Sequence, residues 1–213
     1  MNRRMLLESL LKRLPNEFQE VKYLESSGTQ YIDTGYAPTS NFRVGLEFEY
    51  HSVSDVSVLI GTYVHNGVNF NDNRNLLRLN SDRTLVMQVS TIATQLSSIT
   101  TSVDTKYKLS AQFKNNPILN INGMDYTNNA NFINNNISLY VFANHSRVYN
   151  VDTANNLISM KLYSCQIYDN YVLVRNFVPC YRKADNVAGL YDLVNGVFYT
   201  NAGTGSFIVG GNV

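Results

Sequence analysis

Glu47 and Glu49 stand two apart in the segment Phe42–Tyr50, which alternates apolar and polar residues as a half-buried strand does. Alternation puts both carboxylates on one face, roughly 6.5–7 Å apart along the strand. Paired carboxyl groups cleave glycosidic bonds with retention at about 5–5.5 Å and with inversion at about 6.5–9.5 Å. The spacing therefore admits a glycoside hydrolase. However, His51 stands where a third acidic residue would extend the pattern, and the chain has no Trp to stack on a sugar ring. Carboxylates also populate the wet face of any amphipathic strand, so no catalytic residue is assigned and hydrolysis is the lesser alternative.

The other reactive side chains are more dispersed. His51, His65 and His145 are far from one another and from Cys165 and Cys180, so no zinc-ligand spacing occurs. Gly203-Thr204-Gly205 precedes a strand rather than a helix, against nucleotide binding. Asp55, Asp72, Asp82 and Asp104 are scattered, without the Asp-x-Asp clustering of a strong calcium loop. No metal ligand and no cofactor follow from these residues.

Binding by surface remains. The loop from Tyr63 to Arg74 mixes aromatics with amides, and its candidate glycan contacts are Tyr63, His65, Asn66, Asn69, Asn71 and Arg74. Aromatic faces stack on sugar rings, while amide and guanidinium groups bond hydroxyls. Residues 128–136 have a similar asparagine-rich composition. Asparagines also cap strands through Asx-turns, and the sequence leaves both readings open.

The elements that must position these residues follow from periodicity. Over residues 5–14, Leu6, Leu7, Leu10, Leu11 and Leu14 form one helical stripe that Pro15 ends. So short a helix is marginal alone, so its leucines must dock, either on the main domain or on a partner, and in the second case they are the assembly anchor. From Val21 the period becomes two. Phe42–Tyr50, Val56–Tyr63, Asn75–Leu79, Thr84–Val89, Tyr107–Phe113, Ile118–Ile121 and Ile137–Phe142 read as strands separated by turn-forming residues. Ile158–Tyr168 and Val172–Pro179 flank Asp169-Asn170 as a hairpin, which sets Cys165 opposite position 174 and not Cys180. Bridged Cα atoms lie within about 7 Å, so two buried free thiols are expected. About a dozen short strands argue a sandwich or jelly roll, with residues 1–20 a helical extension and 21–213 one β domain.

Composition bounds the partners. Charged residues are 15% of the chain and the net charge is +1, too little excess cation for a nucleic-acid binder. No Asp, Glu, Lys or Arg interrupts residues 84–103 or 126–146, but both runs are rich in Ser, Thr, Asn and Gln, against a membrane span, which needs roughly 18 or more predominantly apolar residues. Polarity comes instead from 29 Asn and 15 Tyr, and 44% hydrophobic residues suffice for a core. Arg3 and Arg4 open the chain, but Glu8, Lys12 and Arg13 interrupt the apolar stretch, against a secretion signal.

Two ends of the chain carry a family resemblance. Leu14-Pro15-Asn16-Glu17-Phe18, Tyr23-Leu24-Glu25-Ser26-Ser27-Gly28-Thr29-Gln30-Tyr31-Ile32-Asp33-Thr34-Gly35, Asn176-Phe177-Val178-Pro179-Cys180-Tyr181-Arg182, Gly189-Leu190-Tyr191-Asp192 and Phe198–Gly205 resemble LamG-like, concanavalin-type jelly-roll domains. Such domains recur in tailed-phage structural proteins and in surface proteins of gut bacteria. The middle, about 50–155, diverges. The resemblance implies an all-β, two-sheet antiparallel jelly-roll sandwich, to which the periodicity adds a short N-terminal α-helix. It implies a non-enzymatic virion protein in which the jelly roll faces outward, able to touch host-surface glycans. The helix would hold other virion proteins or sister subunits. The alternative is a carbohydrate-binding adhesin at a cell surface. LamG-like domains often hold calcium, which leaves room for that ion; neither nucleic acid nor membrane insertion is implied. Gly28 and Gly35 should take positive φ, and Arg175, Arg182 and Asp192 should tie the C-terminal strands to the N-terminal motif.

Overall fold

The computed structural model describes residues 13–53, 55–65, 73–90 and 95–213, with residues 95–98 described in backbone only. Two sheets face each other. The larger runs β11 (Met124–Thr127), β10 (Ile118–Ile121), β9 (Tyr107–Phe113), β4 (Phe42–Tyr50), β15 (Ser159–Asp169), β16 (Val172–Arg182), β17 (Val187–Asp192) and β18 (Val197–Thr200). To it are added β1 (Phe18–Glu20) on β16, β2 (Leu24–Ser27) on β15 and β19 (Ile208–Val209) on β2. The smaller runs β14 (Val151–Asn155), β13 (Asn144–Val148), β5 (Ser57–His65), β6 (Asn73–Leu79), β7 (Thr84–Ser90) and β8 (Gln95–Thr100). On it sit β12 (Tyr140–Val141) and β3 (Ile32–Asp33). Among the described residues, pairing is antiparallel except between β13 and β5.

The alternation read in β4 is the alternation observed. Phe42, Val44, Leu46, Phe48 and Tyr50 are buried, while Arg43, Glu47 and Glu49 lie on the other face. From the smaller sheet, Leu77 and Leu79 of β6 and Leu85, Met87 and Val89 of β7 join the same cluster. Phe42 stacks on Phe113 with centroids 4.5 Å apart. Full burial of each such side chain contributes roughly 1.5–3 kcal/mol, enough that this shared core fixes which residues of every strand face outward.

One element of the expected fold class is corrected. No helix occurs among the described residues, so the fold is all-β, and none there is long and apolar enough to cross a membrane. Most of the helix expected over 5–14 lies outside the described residues, as do Leu6, Leu7, Leu10 and Leu11; its described end, Arg13 and Leu14, is not helical. Proline disfavours helical geometry in the residue before it. The Pro15 carbonyl accepts the Phe18 N–H at 3.0 Å, turning the chain into β1, and Leu14 packs against the cluster of Phe18, Cys180 and Tyr191.

The β15–β16 hairpin is also shifted. Its turn is Asn170-Tyr171, with φ of 44° and 68°, the left-handed pair that a two-residue turn needs to match strand twist. A bulge between Ile167 and Tyr168 then sets Cys165 opposite Phe177 rather than position 174. Both thiols are buried and free, as expected. Gly28 (φ 99°) and Gly35 (φ 60°) take the positive values expected of them. Of the three expected tying residues, Arg175 donates to the Thr34 carbonyl at 3.2 Å and lies 3.6 Å from the buried Asp192. Arg182 instead pairs with Asp185 at 2.6 Å, within its own hairpin.

Candidate functional site

The outer face of the smaller sheet is built by register. On β6, Leu77 and Leu79 enter the core, so Arg74, Leu76 and Arg78 face away from it. On β7, Met87 and Val89 point inward, so Gln88 points out. Cross-strand partners then line up in a row, with Asn155 opposite Asn144, Asn144 opposite Gly61, Gly61 opposite Leu76 and Leu76 opposite Gln88. One flanking row pairs Tyr63 with Arg74, and the other pairs Val58 with Arg78. The register of β13–β14 is fixed by a tight Tyr149-Asn150 turn, with φ of 48° and 62°.

Gly61 makes this surface concave. A Cβ there would sit 2.2 Å from the Leu76 Cβ, closer than real side chains approach. The glycine leaves a groove of about 240 Å³ over Leu76, walled by Asn144, Asn155 and Asn156 on one side and Gln88 on the other. Tyr63 with Arg74 and Val58 with Arg78 close its ends. The Arg74 guanidinium lies 4.7 Å over the Tyr63 ring. Burial and the neighbouring Arg74 charge hold Arg78 below its ordinary pKa.

The polar atoms here are incompletely matched within the protein. Gln88 is 1% exposed, and neither its Oε1 nor its Nε2 has a hydrogen-bond partner among the described residues. The Asn144 Oδ1 and the Ser146 Oγ, on the same face of β13, are likewise buried without partners. Each such group costs roughly 1–3 kcal/mol of desolvation if left unmet. Asn144 Nδ2 donates to Asn155 Oδ1 at 2.9 Å, and Asn156 Nδ2 donates to the Val56 carbonyl at 3.1 Å, so the wall itself is held. Behind it, His145 stacks on Tyr140 at 4.0 Å, its Nδ1 lies 2.7 Å from the Ser138 carbonyl oxygen, and its Nε2 lies 3.2 Å from Asp152. Hydrogen bonds from Arg147 hold the Asp152 carboxyl below the usual range.

Of the sequence-derived candidates, the structure brings Tyr63 and Arg74 into the groove. His65 lies further along β5, its ring 6.5 Å from Tyr63 and 5.6 Å from Tyr149, and does not line the groove. Asn66, Asn69 and Asn71 lie outside the described residues. Sequence reasoning missed Arg78, Gln88, Asn144, Asn155 and Asn156. For Arg78 and Gln88 the signal was available, as polar residues at outward positions of otherwise apolar strands.

The second asparagine-rich stretch works inward. Asn135 Nδ2 donates to Thr62 Oγ1 at 2.8 Å and to the Asn73 carbonyl at 3.1 Å. Asn75 Nδ2 donates to the Ile133 carbonyl at 2.8 Å, and Ser90 donates to the Asn131 carbonyl. These bonds close the stretch over the core-facing side of β5, β6 and β7.

Glu47 and Glu49 face out from the other sheet. Glu47 pairs with Lys106 at 2.8 Å. Glu49 pairs with Lys161 at 2.8 Å and accepts from the Tyr163 hydroxyl at 3.0 Å. The Lys161 hydrogen bond holds Glu49 below its ordinary pKa, opposite to what a general acid needs, and burial with the Glu49 contact pushes Tyr163 up to about 12. Nearby, His51 Nδ1 lies 2.6 Å from Asp104. Glu49, His51 and Asp104 are the one His/carboxylate cluster among the described residues with ligand atoms mutually within 4.8 Å. Folding thus gives His51 neighbours that sequence distance concealed, though Glu49 is already bonded. Asp55 and Asp82 accept backbone N–H groups of Val56 and Thr84.

No family model and no curated protein matches the chain. Solved structures do match. The CBM40 module of the Ruminococcus gnavus IT-sialidase, bound to α2,3-sialyllactose, aligns with a TM-score of 0.55 at 10% identity, over 71% of this chain and 90% of the module. A Bacteroides ovatus protein described as carbohydrate-binding aligns at 0.57 and 10% identity over 91% of this chain, which spans 62% of that protein's length. A heptameric SAP-like pentraxin of Limulus polyphemus aligns at 0.53 and 10% identity, over 91% of this chain and 94% of the pentraxin. Likeness at this identity is a likeness of fold, that of the concanavalin-like jelly-roll sandwiches.

Proposed function

We propose that this chain is a non-catalytic carbohydrate-binding sandwich whose glycan site is the groove of the smaller sheet. The observation that carries the reading is the convergence on a hollow created by Gly61 of buried polar atoms of Gln88 and Asn144 that lack a partner among the described residues. A small hollow with a few convergent polar groups is how proteins orient small polar ligands. Sugar hydroxyls both donate and accept, which is what an amide with two open atoms requires. Tyr63 and Arg74 are contacts of this site in the same proposal, and His65, Asn66, Asn69 and Asn71 are proposed as further glycan contacts from the sequence alone. The fold shared with a module bound to sialyllactose supports the reading. A glycan array followed by titration calorimetry tests it. Saturable binding that weakens at least tenfold in Gln88→Leu and in Asn144→Ala is expected; no binding to any glycan would overturn it.

The setting we infer is the outer surface of a tailed-phage particle, with the chain as a structural component and a bacterial surface protein as the alternative. The motifs at the two chain ends support that setting. Antibody labelling of purified particles checks it: signal confined to host cell surfaces would favour the alternative.

A further inference from the structure

We propose that the sugar taken by this groove is an N-acylated amino sugar, its acetamido N–H donating to Asn144, its acetamido carbonyl accepting from Gln88 and its methyl resting on Leu76. This rests on the reading of the groove as a glycan site. Three buried atoms of the groove walls lack a partner among the described residues: Gln88 Oε1 and Asn144 Oδ1, which accept, and Gln88 Nε2, which donates. Asn144 Nδ2 is already used on Asn155 Oδ1 at 2.9 Å, so Asn144 offers only an acceptor. The two amides stand at opposite ends of one cross-strand row, Asn144, Gly61, Leu76, Gln88. Three steps of about 4.8 Å set their Cα atoms roughly 14 Å apart, too far for the two side chains to meet each other. Between them the row holds Gly61 and Leu76, and Val58 also lines the groove, so the floor is apolar.

A fitting ligand must therefore donate at one end, accept at the other and lay apolar atoms on the floor. A trans secondary amide does all three. Its N–H and C=O leave on opposite sides of one plane, and its acyl methyl gains by exchanging water for an apolar surface. A ring hydroxyl then donates to Gln88 Oε1, and all three open atoms are met. Other groups in the same place fall short. A carboxylate only accepts and leaves both open acceptors unmet, while an ammonium only donates and leaves Gln88 Nε2 unmet. A hydroxyl reaches one wall at most, and over Leu76 it would exchange water for apolar contact. The volume of about 240 Å³ is below the roughly 300–1,000 Å³ of pockets for drug-sized ligands, which suits one sugar residue.

Calorimetry of the full chain against the methyl glycosides of N-acetylglucosamine, glucosamine and glucose, and of N-acetylgalactosamine and galactose, tests this. At least one N-acetyl glycoside is expected to bind tenfold or more tighter than its hydroxyl parent, with the acetyl methyl the most strongly saturated ligand signal in saturation-transfer NMR. Leu76→Ser should cut that N-acetyl preference at least fivefold. Gln88→Glu, which keeps the shape and removes the N–H donor, should cut it as far. Val58→Thr is the second floor variant should Leu76→Ser melt early. N-acetyl glycosides no tighter than their parents, or a preference unchanged by the floor and Gln88 variants, overturns the N-acyl proposal and leaves the glycan site standing. Methyl glucosaminide bound as tightly as its N-acetyl form overturns the acyl assignment. An array on which every bound glycan lacks an N-acyl group overturns only this inference; an empty array removes both.

Discussion

The two outer faces of the sandwich both carry polar side chains and use them differently. On the larger sheet each carboxylate of β4 has a cation, Lys106 for Glu47 and Lys161 for Glu49, and those lysines lie over the rings of Tyr163 and Tyr23. Arg43 lies over Tyr168 at 4.1 Å. On the smaller sheet, Gln88, Asn144 and Ser146 bury atoms that nothing among the described residues meets. Polarity alone therefore does not mark a site, because a surface can be polar and internally satisfied. What marks the groove is polarity combined with burial and lack of satisfaction, an arrangement that lowers stability unless a ligand or water completes it.

The largest expected effect that would break this contrast is at Gly61. Gly61→Val fills the hollow against the Leu76 Cβ, and overpacking of this kind costs about 1–3 kcal/mol or more. A lowered melting temperature together with lost glycan binding is expected. Next, Asn135→Ala removes the amide that bonds Thr62 and Asn73 beneath the sheet. A loss of about 1–3 kcal/mol in urea unfolding is expected, with binding kept at temperatures where the variant is folded.

Gln88→Leu separates the two faces most sharply. Because its amide is buried and unmet, replacing it with an isosteric apolar side chain should leave the melting temperature unchanged or raised while binding falls at least tenfold. A clear loss of stability would show that Gln88 is structural. Glu49→Gln on the other sheet should do the reverse, leaving binding untouched and costing roughly 0.5–1 kcal/mol, as partly exposed ion pairs do. Its pH dependence has a definite sign. The folded carboxyl titrates below its unfolded value, so the advantage of the wild type is complete above the ordinary glutamate range. It disappears as pH falls through the lowered native value. Chemical denaturation of both proteins between pH 3 and pH 7 (a range about the usual glutamate pKa of roughly 4.3) checks it.

Much of the fold was legible because period-two alternation reports burial directly. Phe42–Tyr50 reads from the sequence as it stands in the structure. The hairpin turn was misplaced by one residue because left-handed backbone at Asn170 and Tyr171 and a bulge at Ile167 leave no signature in an apolar pattern. The end of the expected helix was misjudged at Leu14, which packs against the strand-side cluster of Phe18, Cys180 and Tyr191. The site was legible only where its parts are near in sequence. Tyr63 and Arg74 stand at the two ends of one loop and face each other across β5 and β6. Asn144 and Gln88 join them through pairings between strands far apart in the chain, and no local pattern announces which distant strands will be neighbours.

The one parallel pairing, β13 against β5, has a consequence for the order of folding. Strands β5, β6 and β7 are successive antiparallel neighbours and can assemble locally, carrying Arg74, Arg78 and Gln88 with them. The wall formed by Asn144 and Asn155 arrives only after a loop of about 80 residues closes, a slow and entropically costly event. A half-folded chain therefore presents the guanidinium groups without the wall. If the groove takes a glycan as proposed, recognition is confined to the completed sandwich, and ligand in solution should draw the folding equilibrium toward it.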